Sequence, residues 1–128
     1  MTSDNRKRIL ILDDDETVRT MFGSWLTEEG YNVTHTADAS EAISLHRKNP
    51  FDVAVIELVM GNFNGFETFA TLRREVSPPK IIVTSKSGRT PPEIHLKMAR
   101  YLGAKGTIAK PFTAEEIIAV VRSVLAAG

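Results

Sequence analysis

The chain contains no cysteine. Disulfides, thiolate nucleophiles and cysteine-ligated metals are therefore excluded. Neither sign of charge is in excess, since 16 basic residues balance 16 acidic ones. A dedicated nucleic-acid binder would carry a basic excess or stripe, so no nucleic-acid partner is expected. No apolar run approaches the roughly 20 residues that cross a bilayer. Only one short apolar segment follows the basic residues of positions 1–8, too little for the core of a signal peptide. A cytoplasmic protein without membrane contact is expected. His35, His46 and His95 are scattered and suggest no metal site. There is no internal repeat, low-complexity tract or linker, and 128 residues suit one domain spanning 1–128.

What is present is alternation. Short apolar runs at 8–12, 32–36, 53–57, 81–85 and 106–109 are separated by amphipathic stretches. The first, third and fourth runs are apolar almost throughout, as strands covered on both faces are. Val18, Met21, Phe22, Trp25 and Leu26 recur at helical spacing and predict a helix over 16–29, with Gly30 as its stop. Ala42, Ile43 and Leu45 mark a second helix, ended by Asn49 and Pro50. A third follows Gly65, and a fourth runs over 92–102 to Gly103. Thr113 and Glu116 form a capping box that opens the fifth, whose buried stripe is Ile117, Val120, Val121, Val124 and Leu125. Strands alternating with helices of this length predict an α/β fold with a five-stranded parallel sheet. Right-handed crossovers put the C-terminal ends of the strands on one edge, where ligands bind.

Several polar residues collect at those ends. Asp13, Asp14, Asp15 and Glu16 follow the first strand. Acids are favourable at a helix N-terminus, and for Asp15 and Glu16 that role suffices. Asp13 and Asp14 also have the chemistry of a Mg²⁺ site, which takes one or two carboxylates together with waters or carbonyl oxygens. Glu57 closes the third strand and Lys110 follows the fifth. Their plainer reading is a structural ion pair; the sharper one is a pocket in which the lysine holds an anion. Pro111 fits a tight turn, with a cis bond as one option. Thr84 and Ser85 end the fourth strand and point to opposite faces. Ser85 is favoured as the pocket hydroxyl, with Thr84 as the alternative. Trp25 is expected in the core, and so is Leu102, whereas Met98 and Tyr101 could leave apolar surface on the fourth helix.

Taken together, residues 9–15 (ILILDDD), 52–60 (DVAVIELVM), 64–65 (NG), 81–85 (IIVTS), 102–104 (LGA) and 110–112 (KPF) resemble the CheY-like receiver domain of response regulators over nearly the whole chain. The resemblance implies a flavodoxin-like doubly wound sheet of strand order 2-1-3-4-5. It also implies Mg²⁺ held by Asp13, Asp14, residue 57 and the carbonyl of Val59. Residue 57 would accept a phosphoryl group from a sensor histidine kinase, with Ser85 or Thr84 and Lys110 binding its oxygens. Implied partners are such a kinase or a downstream signalling protein. The implied state is a monomer, or a weak dimer through the face of the fourth helix, fifth strand and fifth helix.

Four positions depart from the pattern. Glu57 replaces the phosphoacceptor aspartate, Gly61 a proline, Asn64 an aspartate, and Thr107 the aromatic that reports phosphorylation. The extra C–C bond of Glu57 moves its carboxylate roughly 1.5 Å further into the pocket. A misplacement of that order costs in-line transfer about a hundredfold. The expected function is a phosphorylation-independent interaction module, not an enzyme. The alternative is a phosphorylatable single-domain response regulator using Mg²⁺. A mononucleotide binder of similar fold is disfavoured, because the turn after the first strand is acidic and lacks a glycine-rich phosphate loop.

Overall fold

The structure is a computed structural model and describes residues 5–60, 63–85 and 92–127. Along the chain come β1 (Arg8–Leu12), α1 (Glu16–Glu28), β2 (Asn32–Thr36), α2 (Ala39–Lys48) and β3 (Val53–Glu57). Two short strands, β4 (Val59–Met60) and β5 (Phe63–Asn64), precede α3 (Gly65–Arg73). Then follow β6 (Lys80–Ser85), α4 (Pro92–Tyr101), β7 (Gly106–Ala109) and α5 (Ala114–Ala126). The main sheet is five-stranded in the order β2-β1-β3-β6-β7. All its pairings are parallel. With β4 and β5 set aside as a separate antiparallel ribbon, this is the expected 2-1-3-4-5 order. Gly61 and residues 86–91, where a proline pair begins, lie outside the described residues.

The apolar runs form strands because both faces of the sheet are covered. Every residue of β3 is buried. On one face Leu10, Leu12, Ala54, Ile56, Ile81 and Val83 pack with Ala42 of α2, Phe69 and Leu72 of α3 and Ala99 of α4. On the other, Ile9, Ile11, Val53, Val55, Ile82 and Ile108 pack with Phe22 and Leu26 of α1 and with Ile117, Val121 and Val124 of α5. This alternation is the period-2 geometry of a strand, and it assigns each residue at a strand end to a face.

Helix ends follow local chemistry. Asp15 caps α1 by accepting from the amides of Thr17 and Val18 at 2.9 and 3.3 Å. Asp38 caps α2 in the same way. Thr113 and Glu116 complete the capping box of α5. Gly30 and Gly103, the two predicted stops, have φ of 95° and 114°, conformations that other residues adopt only under strain. The predicted helices over 16–29 and 92–102 each end one residue earlier, and β6 begins one residue earlier, at Lys80.

Two packing expectations need correction. Leu102 is 43% exposed and joins Ile94, Met98 and Tyr101 in an apolar stripe on α4. The residue lies just past the end of the helix, beyond the turn that Ala99 buries. Trp25 is only partly buried, packed against the α1–α5 face with its ring 5.8 Å from that of Phe22. His46 has a structural role that its sequence position did not signal. It is buried, contacts the Ser77 carbonyl through Nε2 at 2.7 Å, and accepts the Phe51 amide at Nδ1 at 3.1 Å.

Gly65 fixes the approach of α3 to the end of β3. Its amide donates to the Leu58 carbonyl at 2.8 Å. A Cβ at this position would lie 2.1 Å from the Glu57 carbonyl oxygen and 2.7 Å from Leu58 Cα, both of them backbone atoms. Gly65→Ala must therefore push α3 away from the sheet. Overpacking of this kind costs about 1–3 kcal/mol, and urea denaturation should show a loss in that range or beyond. Native-like stability in the alanine variant would contradict this close approach.

Candidate functional site

The strand order brings the ends of β1, β3 and β7 to one edge of the sheet, and three charged residues meet there. Asp13 directly follows β1, Glu57 ends β3, and Lys110 directly follows β7. Lys110 Nζ donates to Asp13 Oδ2 at 2.6 Å and to Glu57 Oε1 at 3.1 Å. Asp13 and Glu57 are each only 1% exposed. Burial so complete requires compensation, because an ionised carboxylate removed from water is costly without a partner. Lys110 compensates both acids at once. Its position is set by its own amide, which donates to the Ser85 carbonyl at 2.8 Å, and it is followed by a cis Lys110-Pro111 bond.

Asp13 is held on every oxygen. Oδ1 accepts the Asp15 amide at 2.9 Å, Oδ2 accepts Lys110, and the backbone carbonyl accepts Arg19 Nη1 at 2.8 Å. Asp14 is exposed at the rim. Asp13, Asp14 and Glu57 each present a carboxylate oxygen within 4.8 Å of the others. A cluster of hard oxygen donors with one exposed member suits a small divalent cation that keeps part of its water shell.

The electrostatics of the pocket are unequal. Burial pushes the Glu57 carboxyl up to about 7, helped by the hydrogen bond and charge of Asp13 and opposed by Lys110. Burial alone would pull Lys110 down, but the hydrogen bonds and charges of Asp13 and then Glu57 outweigh it, and its ammonium titrates above the ordinary lysine value. One cation thus faces two acids, and burial moves the longer one toward its protonated form.

The structure separates the sequence-named residues. Asp13, Asp14, Glu57 and Lys110 come together. Of the two hydroxyl residues, Thr84 pairs in register with Glu57. Alternation puts Thr84 on the face of Ile82, which is also the face of Val53 and Val55 beneath Glu57, whereas Ser85 falls on the face of Val83. Both hydroxyl residues are buried. Val59 lies two residues past Glu57, paired with Asn64 in the short ribbon. Thr107 sits on β7, and its hydroxyl accepts Arg100 Nη2 of α4 at 2.5 Å. The sequence reading passed over Arg19. The available signal was its place one helical turn after the Asp15 cap, from which a long basic side chain can fold back over the acidic loop.

A titration follows from the Glu57 environment. In metal-free protein its carboxyl carbon should titrate near pH 7 by NMR. The folded-state value lies above that of the unfolded chain. The group therefore contributes stability that is present below the unfolded value of 4.5 and is lost as pH rises through about 7. Glu57→Gln should flatten that part of the stability profile. A Glu57 carboxyl titrating in the ordinary range would contradict the burial argument.

Comparison with known proteins agrees with this arrangement. The family model described as "Response regulator receiver domain" matches residues 9–122. "Probable transcriptional regulator ycf27" of Porphyridium aerugineum is 32% identical over 94% of this chain and 48% of its own length. "Response regulator ArlR" of Staphylococcus epidermidis is 33% identical over 91% of the chain and 52% of its own length. The chain thus spans about half the length of the curated relatives it matches. Among solved structures, the chemotaxis response regulator CheY4 of Vibrio cholerae superposes with a TM-score of 0.80 at 28% identity, covering 94% of this chain and 100% of that one. A putative response regulator from Chloroflexus aurantiacus gives 0.84 at 28% identity, covering 95% and 99%. With the acidic pocket, its facing lysine and the sheet order already in place, this match over most of its length shows that the chain belongs to the response regulator receiver domain family.

Proposed function

We propose that this receiver domain signals as a protein-interaction module without phosphoryl transfer to residue 57. The observation that carries the reading is the engagement of Lys110 by both Asp13 and Glu57, at 2.6 and 3.1 Å. The lysine that would meet an incoming phosphoryl group is already occupied by the residue that would have to accept it. Glu57 places negative charge where such a group would bring it, but a carboxylate carries one charge where a phosphoryl group carries about −1.5 to −2. The mimicry is partial, and it weakens as pH falls through about 7 and the carboxyl takes up a proton.

Receiver domains typically bind Mg²⁺ at an acidic pocket, and the donor set here fits that ion. Asp13, Asp14 and Glu57 would hold it, with the Val59 carbonyl as a further oxygen. Bound there, the ion would supply positive charge to balance the acids. On this reading Thr84 takes the hydroxyl role on β6, with Ser85 one position further along the strand. The partner is a protein, either a sensor histidine kinase or a downstream signalling component. The α4 stripe of Ile94, Met98, Tyr101 and Leu102 is the apolar surface available to it, or to a weak dimer through α4, β7 and α5. No helix among the described residues is long and apolar enough to cross a membrane.

Intact-mass spectrometry after incubation with Mg²⁺ and acetyl phosphate tests the proposal. The native chain should stay unmodified, while Glu57→Asp should gain a phosphoryl adduct at position 57 because the rest of the pocket is in place. A stoichiometric adduct localised to Glu57 in the native chain would overturn it and favour the phosphorylatable alternative.

A further inference from the structure

We infer that Arg19 is a positioning residue that holds the Asp13 backbone in its pocket geometry by bridging it to His35 on β2. The inference rests on the cation-site reading only for its metal-binding readout. Arg19 Nη1 donates to the Asp13 carbonyl at 2.8 Å, and Nε donates to His35 Nδ1 at 3.3 Å. One guanidinium therefore ties the first acidic residue of the pocket to the strand at the sheet's edge. The contacts on the Asp13 carboxylate come from within the pocket, from the Asp15 amide, from Lys110 and from Glu57. The Arg19 contact reaches Asp13 from the flank of α1 and acts on the main chain instead.

The bridge has a built-in seat. Arg19 and Gly23 are four residues apart and so share a face of α1. The His35 ring lies over Gly23, where a Cβ would stand 3.6 Å from its Cδ2, within ordinary contact range. The ring thus packs on the helix and turns Nδ1 toward Arg19. A planar guanidinium can serve two acceptors at a fixed angle, which a lysine ammonium on its flexible stem does not reproduce. Holding the Asp13 main chain matters because Asp13, Asp14, Asp15 and Glu16 are four consecutive acids. Their mutual repulsion opposes the convergence on Glu57, and the Arg19 bridge adds to the long 3.3 Å bond from the Asp13 amide to the Thr36 carbonyl of β2 in resisting it.

The plain competing explanation is that Arg19 merely supplies positive charge beside an acidic loop. Arg19→Lys keeps the charge and loses the fork, so it separates the two ideas. Mg²⁺ affinity should be measured at pH 8, where Glu57 is ionised, for the native chain, Arg19→Lys, Arg19→Ala and His35→Ala. Groups that orient metal ligands typically change affinity by about 10–100-fold. Arg19→Ala should fall in that range, Arg19→Lys should lie closer to the alanine variant than to native, and His35→Ala should show a smaller loss in the same direction. A second readout needs no metal. Hydrogen exchange at the Asp15 amide, which is bonded to Asp13 Oδ1, should accelerate in Arg19→Ala and Arg19→Lys while core amides stay protected. Native affinity in Arg19→Lys would reduce Arg19 to a charge effect and overturn the inference. Unchanged Asp15 exchange in both variants would do the same. If the native chain binds no Mg²⁺, the cation reading of the site fails on its own, and the Asp15 amide still decides the role of Arg19. Should Arg19→Ala fail to fold, Arg19→Lys carries both readouts.

Discussion

The Lys110 ammonium, shared between Asp13 and Glu57, is the interaction on which the site depends. Two carboxylates closed off from water at the end of a sheet would repel each other. A single cation between them makes their coexistence tolerable. The removal of one partner from such a buried set typically costs about 3–5 kcal/mol, because a charge is left uncompensated. The sheet supplies the geometry. The order β2-β1-β3-β6-β7 places β1 beside β3, so their acids are neighbours, and brings Lys110 in from the edge strand β7 across the β6 end. Gly65 presses α3 against the Glu57–Leu58 backbone, and Arg19 holds the main chain of Asp13 from the other side.

The methylene that distinguishes glutamate from aspartate changes what this pocket can do. The longer carboxylate meets Lys110 at 3.1 Å, and its burial beside Asp13 pushes it up to about 7, away from a fully charged nucleophile. Beyond the pocket, the second departure points the same way. Thr107 stands where the resemblance implies a rotating aromatic, and its hydroxyl is bonded to Arg100 of α4. A short side chain tied to the neighbouring helix has no large alternative position to occupy. On the proposed reading, the domain presents one α4 surface to its partner whatever the phosphodonor supply. A ligand moves a two-state equilibrium only through its differential affinity for the two states, and the proposed reading requires that difference to be small.

Much of this was legible in the sequence. The all-apolar runs gave the central strands, and Thr113 with Glu116, Gly30 and Gly103 gave helix ends to within a residue. The placement of the acids and lysine on one edge followed from the parallel topology, since parallel strands end on the same edge, while the strand order that makes them neighbours came from the family resemblance. The choice between Thr84 and Ser85 was not legible, because it depends on which face of β6 turns toward Glu57, and only the register with β3 decides that. Leu102 was misassigned because periodicity cannot tell a core-facing residue from one just beyond the last buried turn. Arg19 and His46 were missed because each acts on backbone groups, the Asp13 carbonyl for one and the Ser77 carbonyl and Phe51 amide for the other, and every residue type carries such groups.

The central claim is that Lys110 is already engaged by Asp13 and Glu57, so occupancy of the pocket no longer controls the α4 surface. Amide chemical shifts over residues 84–112, with and without Mg²⁺ plus beryllofluoride, test this most directly. The account predicts changes confined to residues lining the pocket, with α4 and β7 essentially unmoved. Large shifts propagating from Thr84 through Thr107 into α4 would show a working switch and contradict it.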